Sequence, residues 1–290
     1  MRLLITGAGG MLATAVGGVA RRLGHDVLAL SHAELDVCDA EATHLTVARS
    51  APAAIVNCAA WTDVDGAETE PAGAHAVNAD GAGNVARAAA QVGVHLVHVS
   101  TDYVFDGESR RPYVESDPPA PRCAYGAGKL DGERQVLDAN AGHAVVRSSW
   151  LFGAGGRNFV DTMLDLGAQR QEISVVCDQV GCPTWTDHLG AALVEIAERR
   201  ERGVRHLAAQ GSCSWNELAV EIFDQAAIDC RVLPTTTEAM GRPAPRPAYS
   251  VLGSELADAL PLPPWTEGLR AYLSQRRVAE SRQAGAGPAS

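Results

Sequence analysis

Five short apolar runs in the first half of the chain constrain its fold more than any other feature. They are "RLLIT" (2–6), "DVLALS" (26–31), "AIVNC" (54–58), "HLVHVST" (95–101) and "HAVVRSS" (143–149). Each is of strand length and rich in valine, isoleucine and leucine. None shows the polar alternation that a sheet with one wet face imposes, so each predicts a strand covered on both faces. Amphipathic stretches such as "MLATAVGGVARRLG" (11–24) and "GNVARAAAQVG" (83–93) lie between them, long enough for the right-handed crossovers that parallel neighbours require. The predicted architecture is an α/β, doubly wound parallel sheet.

After about Trp150 the texture changes. Helical "FVDTMLDLGAQ", strand-like "ISVV" and the loop "CDQVGCPTWT" come first; two more helices and a proline-rich stretch, "LPTTTEAMGRPAPRPAYS", follow. This predicts a sheet domain over 1–150 and a smaller, loop-rich domain over 151–280. The border is interleaved, because "ISVV" (173–176) reads as a strand returned to the parallel sheet. "SRQAGAGPAS" (281–290) is small, polar and glycine-rich, the composition of a disordered tail.

A net charge of -11 argues against nucleic acid as a partner, since binding to phosphate backbones needs a basic surface. The start "MRLLITGAGG" has four apolar residues before a glycine turn, which fits neither a signal peptide nor a membrane span. Seven scattered cysteines form no C-x-x-C pair and accompany no histidine cluster at metal-ligand spacing. They read as reduced thiols of a cytoplasmic protein, and Cys177 and Cys182 as incidental neighbours flanking a turn.

"ITGAGGMLA" closes the first strand and opens the first helix. Gly7 and Gly10 allow a tight turn and close approach to a pyrophosphate, the helix start supplies free N–H groups, and Ala13 is small enough for helix-to-strand packing. In this position the turn predicts a dinucleotide site, although a glycine turn by itself can be only a tight connection. The second strand ends "ALSHAE" with no carboxylate at its tip, leaving Ser31 or His32 to face the adenine ribose. That favours NADPH, with NADH as the alternative. Asp36 and Asp39 either reach the adenine edge or cap the next helix.

The fourth strand ends in "STDYVF", and "YGAGK" follows. Carboxyl ends of parallel strands form the ligand crevice, so Ser100 and Thr101 are expected to point toward a cofactor. Tyr125 and Lys129 share a helix face at i, i+4. A lysine ammonium and a nicotinamide cation can lower a phenol by about three pH units, so Tyr125 can protonate a carbonyl oxygen while Thr101 holds that oxygen. Alone, such a pair is more often an ordinary exposed helix pair; its place after a strand ending in Ser-Thr and downstream of the glycine turn reverses that. Gly126 and Gly128 each cost the helix about 1 kcal/mol, which makes sense if their bare backbone lets cofactor and substrate approach. Asn57 and Asn78 lie at element ends, with backbone bonding the expected role for Asn78.

Together these residues resemble the extended short-chain dehydrogenase/reductase superfamily, with its Rossmann-type fold. More narrowly, "STDYVFDG", "YGAGKLDGE", "RNFVDTML", "VVCDQVGCPTWT", "RPAYSVL" and "LPPWTEGLRAYL" resemble the dTDP-4-dehydrorhamnose reductase family, in order from Met1 to about Leu273. The resemblance implies reduction of the 4-keto group of dTDP-4-dehydro-L-rhamnose, with Thr101, Tyr125 and Lys129 as the catalytic set. It implies cofactor contacts at Gly7, Gly10, Met11, Leu12, Ser31, Asp36, Asp39, Ala59, Ala60, Tyr125 and Lys129. Sugar-nucleotide contacts are implied at Thr101, Asp102, Tyr103, Trp150, Asn158, Gln179 and Arg246. Trp150 can instead be a core aromatic, Asn158 a helix cap and Arg246 a surface ion-pair partner. Two departures stand out. Gly128 replaces the family's serine or threonine, and "MLATAVGG" lacks the glutamate with which some members bind a dimer-bridging magnesium. The expectation is no structural metal and a monomer or weak homodimer. A 4-ketoreductase for another dTDP-deoxyhexose, an epimerase or dehydratase, and a non-catalytic NAD(P)-binding regulatory subunit are the competing readings.

Overall fold

The computed structural model describes residues 1–285. Its centre is a parallel sheet of β1 (Arg2–Thr6), β2 (Asp26–Leu30), β3 (Ala54–Asn57), β4 (His95–Thr101), β5 (Ala144–Ser148) and a sixth strand, Gly203–His206. Their spatial order is β2, β1, β3, β4, β5, then 203–206. The connecting helices are α1 (Met11–Arg22), α2 (Ala40–Ser50), the short α3 (Val64–Thr69) and α4 (Pro71–His75), α5 (Ala82–Val92) and α6 (Ala124–Ala139). A π-helical turn, Ala76–Gly81, joins α4 to α5.

Strand β1 shows why the runs lack polar alternation. Leu3 and Ile5 enter one layer with Val16, Val19, Leu189 and Leu193, whereas Leu4 enters the opposite layer with Val47, Val85 and Val136. Full burial of one such side chain contributes about 1.5–3 kcal/mol. Strand β2 departs from the expectation of two covered faces: it lies at the sheet edge, where Leu28 stays 36% exposed.

The expected return of "ISVV" to the main sheet does not occur. Glu172–Val176 pairs in parallel with Arg231–Thr235 as a separate two-stranded ribbon, and only Ile173 and Val175 of the strand are buried. One covered face suffices for that alternation. The sixth place goes to Gly203–His206, a segment without an apolar run whose Arg205 is ion-paired with Asp258 at 2.8 Å.

Interleaving therefore comes through other elements. The helix Thr186–Arg199 packs on α1, where a Cβ at Gly190 would sit 3.2 Å from the Val16 backbone nitrogen. A second core, with Phe152, Val160, Ile173, Ile222, Phe223 and Tyr272, is drawn wholly from residues after Trp150. The last helix, Trp265–Gly285, runs past Ser281, where the sequence predicts disorder. Arginine, glutamine and alanine in "SRQA" have high helix propensity and supply no stop before Gly285. Residues 286–290 of the expected tail lie outside the described residues. Among the described residues, no helix is long and apolar enough to cross a membrane.

Candidate active site

The strand order reverses between β1 and β3, and in open parallel sheets ligands bind at such a switch point. Gly7 ends β1 there at φ +76°, and a Cβ on it would lie 2.8 Å from the Ala59 nitrogen. No other residue fits. Gly10 starts α1 with no side-chain cap and no acidic residue in the first turn, so the helix presents N–H groups and the positive end of its dipole to the crevice. Ala59 faces Gly7 across the switch point and, like Ala60 and Met11, is half-buried. Leu12 belongs to the core, leaving only its backbone for a ligand. A bare turn before an uncapped helix is the donor set a pyrophosphate needs, so these residues fit a dinucleotide.

The tip of β2 differs from expectation. Glu34 folds back and accepts hydrogen bonds from the Ser31 N–H (2.8 Å) and hydroxyl (2.7 Å), placing a carboxylate where the strand-end sequence shows none. A turn brings it there three residues late. Asp39 caps α2 by accepting from Ala42 N–H at 2.9 Å, and Asp36 accepts from Cys38 N–H at 2.9 Å. Both therefore serve local backbone. His32 is exposed.

Around the end of β4 the side chains separate by strand alternation. Thr101 and Asp102 are buried, and the Thr101 hydroxyl donates to Asp102 Oδ1 at 3.0 Å. Ser100 turns instead toward α6 and donates to Glu133 Oε1 at 2.5 Å, which corrects its expected aim at the cofactor. Glu133 is also held by Arg147, with Nε–Oε1 at 2.9 Å and the second nitrogen to Oε2 at 2.7 Å, in a pair both of whose side chains are buried. Burial raises the Asp102 carboxyl to about 6, the Thr101 bond working the other way.

Tyr125 and Lys129 lie one turn apart on α6, and the Tyr125 phenol has the Thr101 hydroxyl as a hydrogen-bonding neighbour and the Tyr103 ring at 5.6 Å. The expected depression of the phenol is absent here. Burial pushes it well above its ordinary range, which suits a group that must carry a proton. Lys129 is buried and donates to the Val99 carbonyl at 2.7 Å, with His98 Nε2 at 3.5 Å. Burial lowers it to about 8.

The glycines of "YGAGK" also have different reasons from those expected. A Cβ at Gly126 would lie 2.2 Å from the Tyr103 carbonyl oxygen, so this glycine lets α6 pack against the end of β4. At Gly128 the nearest atom would be Asn78 Cβ at 3.5 Å, ordinary contact distance. Asn78 accepts from Trp61 N–H (2.9 Å) and donates to its carbonyl (3.0 Å), the backbone role its position suggests.

On the other side of the crevice Trp150 adopts φ +48° and stacks on Trp215, with ring centroids 3.5 Å apart. A bulky residue in the left-handed region is a true outlier and marks a functional constraint worth testing. Gln179 accepts from Trp215 Nε1 at 3.0 Å and donates to Thr237 at 2.8 Å, fixing the stack in place. Asn158 accepts from Asp161 N–H at 3.0 Å and donates to the Gly153 carbonyl at 2.9 Å, so its amide caps this helix and closes the loop before it. Arg246 is 2.9 Å from Asp65 and 5.9 Å from the Tyr103 ring centre, and it lines a cavity of about 220 Å³ with Tyr103, Arg122 and Cys123.

Asp65, Glu34 and His98 were not singled out by sequence. One signal was available for the lysine: Lys129 is the only lysine in all 290 residues, every other side-chain cation of the arginine or lysine type being arginine. The seven cysteines are free, and among the described residues no group of three or more His, Cys, Asp or Glu side chains is placed to hold a metal.

This strand order, with a glycine turn at its switch point and a threonine, tyrosine and lysine beyond β4, defines a Rossmann-type oxidoreductase of the short-chain dehydrogenase/reductase kind. The chain belongs to the RmlD substrate binding domain family, whose model matches residues 1–278. It is 45% identical over 271 residues to a dTDP-4-dehydrorhamnose reductase of Streptomyces griseus, covering 91% of this chain and 89% of that protein. It is 44% identical to a probable dTDP-4,6-dihydroxy-2-methyloxan-3-one 4-ketoreductase of Streptomyces antibioticus, covering 97% of each. The solved dTDP-4-dehydrorhamnose reductase of Bacillus anthracis, in complex with NADP, superposes with a TM-score of 0.92 at 40% identity, covering 94% of this chain and 99% of that one.

Proposed function

We propose that the chain reduces the 4-keto group of dTDP-4-dehydro-L-rhamnose to give dTDP-L-rhamnose in the cytoplasm, with NADPH as hydride donor and NADH as the alternative. The observation that carries this reading is the Tyr125 phenol set beside the Thr101 hydroxyl at the carboxyl end of the sheet, one turn of α6 from Lys129. Gly7, Gly10 and the start of α1 would hold the pyrophosphate of the dinucleotide, and Ala59 and Ala60 would flank it. When bound, the cofactor supplies a hydride to the carbonyl carbon.

The protein's own part is acid catalysis and orientation. Tyr125 gives its phenolic proton to the carbonyl oxygen as that oxygen gains negative charge, so the ketone becomes an alcohol and the phenol a phenolate. Thr101 hydrogen-bonds the same oxygen and fixes its position. Trp150 and Tyr103 offer flat apolar walls for the sugar, and Arg246 offers a planar fork of donors to the diphosphate. The second reading is a 4-ketoreductase for another dTDP-deoxyhexose, favoured by the Streptomyces antibioticus relative at nearly equal identity. The quaternary state assigned is monomer or weak homodimer, independent of magnesium, and sizing with and without the ion tests it.

The deciding assay mixes enzyme, NADPH and dTDP-4-dehydro-L-rhamnose and follows loss of nicotinamide absorbance. Rapid turnover supports the assignment. Turnover only with a different dTDP-keto sugar keeps the chemistry and removes the substrate, and no turnover with any of them favours the regulatory alternative.

A further inference from the structure

The three neighbouring strands β1, β3 and β4 place Thr6, Asn57 and His98 side by side in register, and the row ends at Lys129. All four are buried. The hydrogen bonds along this row have a direction that can be read from one fixed donor. Ala59 N–H donates to Asn57 Oδ1 at 3.2 Å, and Thr6 donates to the same oxygen at 2.5 Å. A backbone N–H can only donate, so the oxygen end of the amide is settled. The NH₂ end of Asn57 therefore faces His98 Nδ1, 3.0 Å away.

An NH₂ group can only donate, so His98 Nδ1 must accept and carries no proton. Burial, and then the charge of Lys129, push His98 well below its ordinary range, so the ring is neutral and its one proton sits on Nε2. That N–H points at Lys129 Nζ, 3.5 Å away. An ammonium has only protons to offer and gains nothing from a facing donor, whereas a free amine has a lone pair that can accept.

We propose that Asn57 and His98 are positioning residues that set the protonation balance of Lys129, by presenting an N–H rather than a lone pair to its nitrogen. The remaining groups facing Lys129 do not reverse this. The Val99 carbonyl, 2.7 Å away, accepts a hydrogen bond from ammonium and amine alike. Glu133, one turn further along α6, favours the ammonium but is already neutralised by Arg147, Cys58 is a half-buried thiol held protonated, and Tyr125 is held as a neutral phenol. The consequence for catalysis, which rests on the reductase reading, is a lysine whose two forms are close in free energy. Such a group can return a proton to the Tyr125 phenolate after each reduction, the ammonium becoming an amine as the phenolate becomes a phenol. General acids work best with a pKa near the working pH.

The chain's single lysine makes the test direct, because ¹³C-lysine labelling gives one side-chain resonance. In the intact wild-type protein, ¹⁵N spectra should show His98 as the neutral Nε2–H form from pH 6 to 9, identified by its loss in His98→Phe, and Lys129 should titrate near 8. Asn57→Asp keeps acceptors for Ala59 and Thr6 but turns an oxygen toward Nδ1. This moves the ring proton to Nδ1 and aims a lone pair at Nζ, so the Lys129 midpoint should rise by about one pH unit or more. The rise should shrink when Asn57→Asp is made in the His98→Phe background, which subtracts the through-space charge of the new carboxylate.

An Nδ1–H tautomer or a protonated ring in wild type overturns the proposal. So does an equal rise with and without His98, or a lysine titrating at its ordinary value of about 10.4. The wild-type spectra need no variant to fold. None of these readings needs turnover, so failure here leaves the ketoreductase assignment standing, and failure of the substrate assay leaves the lysine result standing.

Discussion

The proposed cofactor side and the proposed sugar side of the crevice are built differently. On the cofactor side, Thr6, Asn57 and His98 stand in register on three adjacent strands, Gly7 follows Thr6, Thr101 ends the same strand as His98, and α6 reaches that strand through Lys129. On the sugar side, Asp65, Trp150, Gln179, Trp215 and Arg246 come from five separate segments held by one ion pair, one ring stack and one amide bridge. The first surface is close-packed backbone and tolerates little change. The second is assembled from side chains that can exchange partners. The difference implies that chemistry fails when the first is altered, and substrate preference shifts when the second is.

The largest expected effect is on the cofactor side. Tyr125→Phe should lower kcat by about 10²-fold or more, since it removes the general acid, while binding of NADPH, followed by fluorescence titration, stays within a factor of about three. A rate within about tenfold of wild type would remove Tyr125 from the mechanism.

Next is the contrast inside "YGAGK". Gly126→Ala drives a methyl into the Tyr103 carbonyl and should destabilise by about 1–3 kcal/mol, whereas Gly128→Ala has room and should stabilise the helix by about 1 kcal/mol. Thermal or urea unfolding of the two variants reads this directly. Equal effects would mean that close packing is not what separates the two positions.

This pair also marks how far the sequence carries. The sheet, the glycine turn and the Thr101, Tyr125 and Lys129 set were legible because their signals are local: apolar runs, a strand–turn–helix junction and one-turn spacing on a helix. The reason for Gly126 was not, because Tyr103 contributes only a carbonyl oxygen to the contact and any residue type could supply that. Glu34 was missed because its turn folds back past the strand end, and Asp65 because its partner Arg246 lies far along the chain. Gly203–His206 lacks the apolar signature of a central strand, so the more apolar "ISVV" was the better candidate on pattern alone.

On the sugar side, Arg246→Ala should raise the KM for the dTDP sugar about tenfold, the scale of one lost hydrogen bond to a charged group, and leave the KM for NADPH nearly unchanged. Asp65→Asn should not raise the sugar KM, because it releases the same guanidinium from its partner. If both variants raised it equally, the ion pair itself, and not the arginine, would be the feature that matters.

The smallest effect is a trend with pH. The Asp102 carboxyl is raised to about 6 by burial, so on raising the pH the unfolded chain gives up this proton first. Its contribution to stability is therefore full below an ordinary aspartate value of about 3.9 and is lost as pH rises through 6. Asp102→Asn lacks this loss, and its melting temperature relative to wild type should climb between pH 4 and 7. A constant difference across that range would mean that the carboxyl is not perturbed.

The central claim is that hydride reaches the sugar's carbonyl carbon in the crevice beyond β4 while Tyr125 protonates the oxygen. Turnover of dTDP-4-dehydro-L-rhamnose with NADPH deuterated at the transferred position tests it most directly, with the product analysed by NMR. The account predicts deuterium at C4 of dTDP-L-rhamnose from wild type and almost none from Tyr125→Phe in the same time. Deuterium at another carbon, or undiminished labelling by the variant, would contradict it.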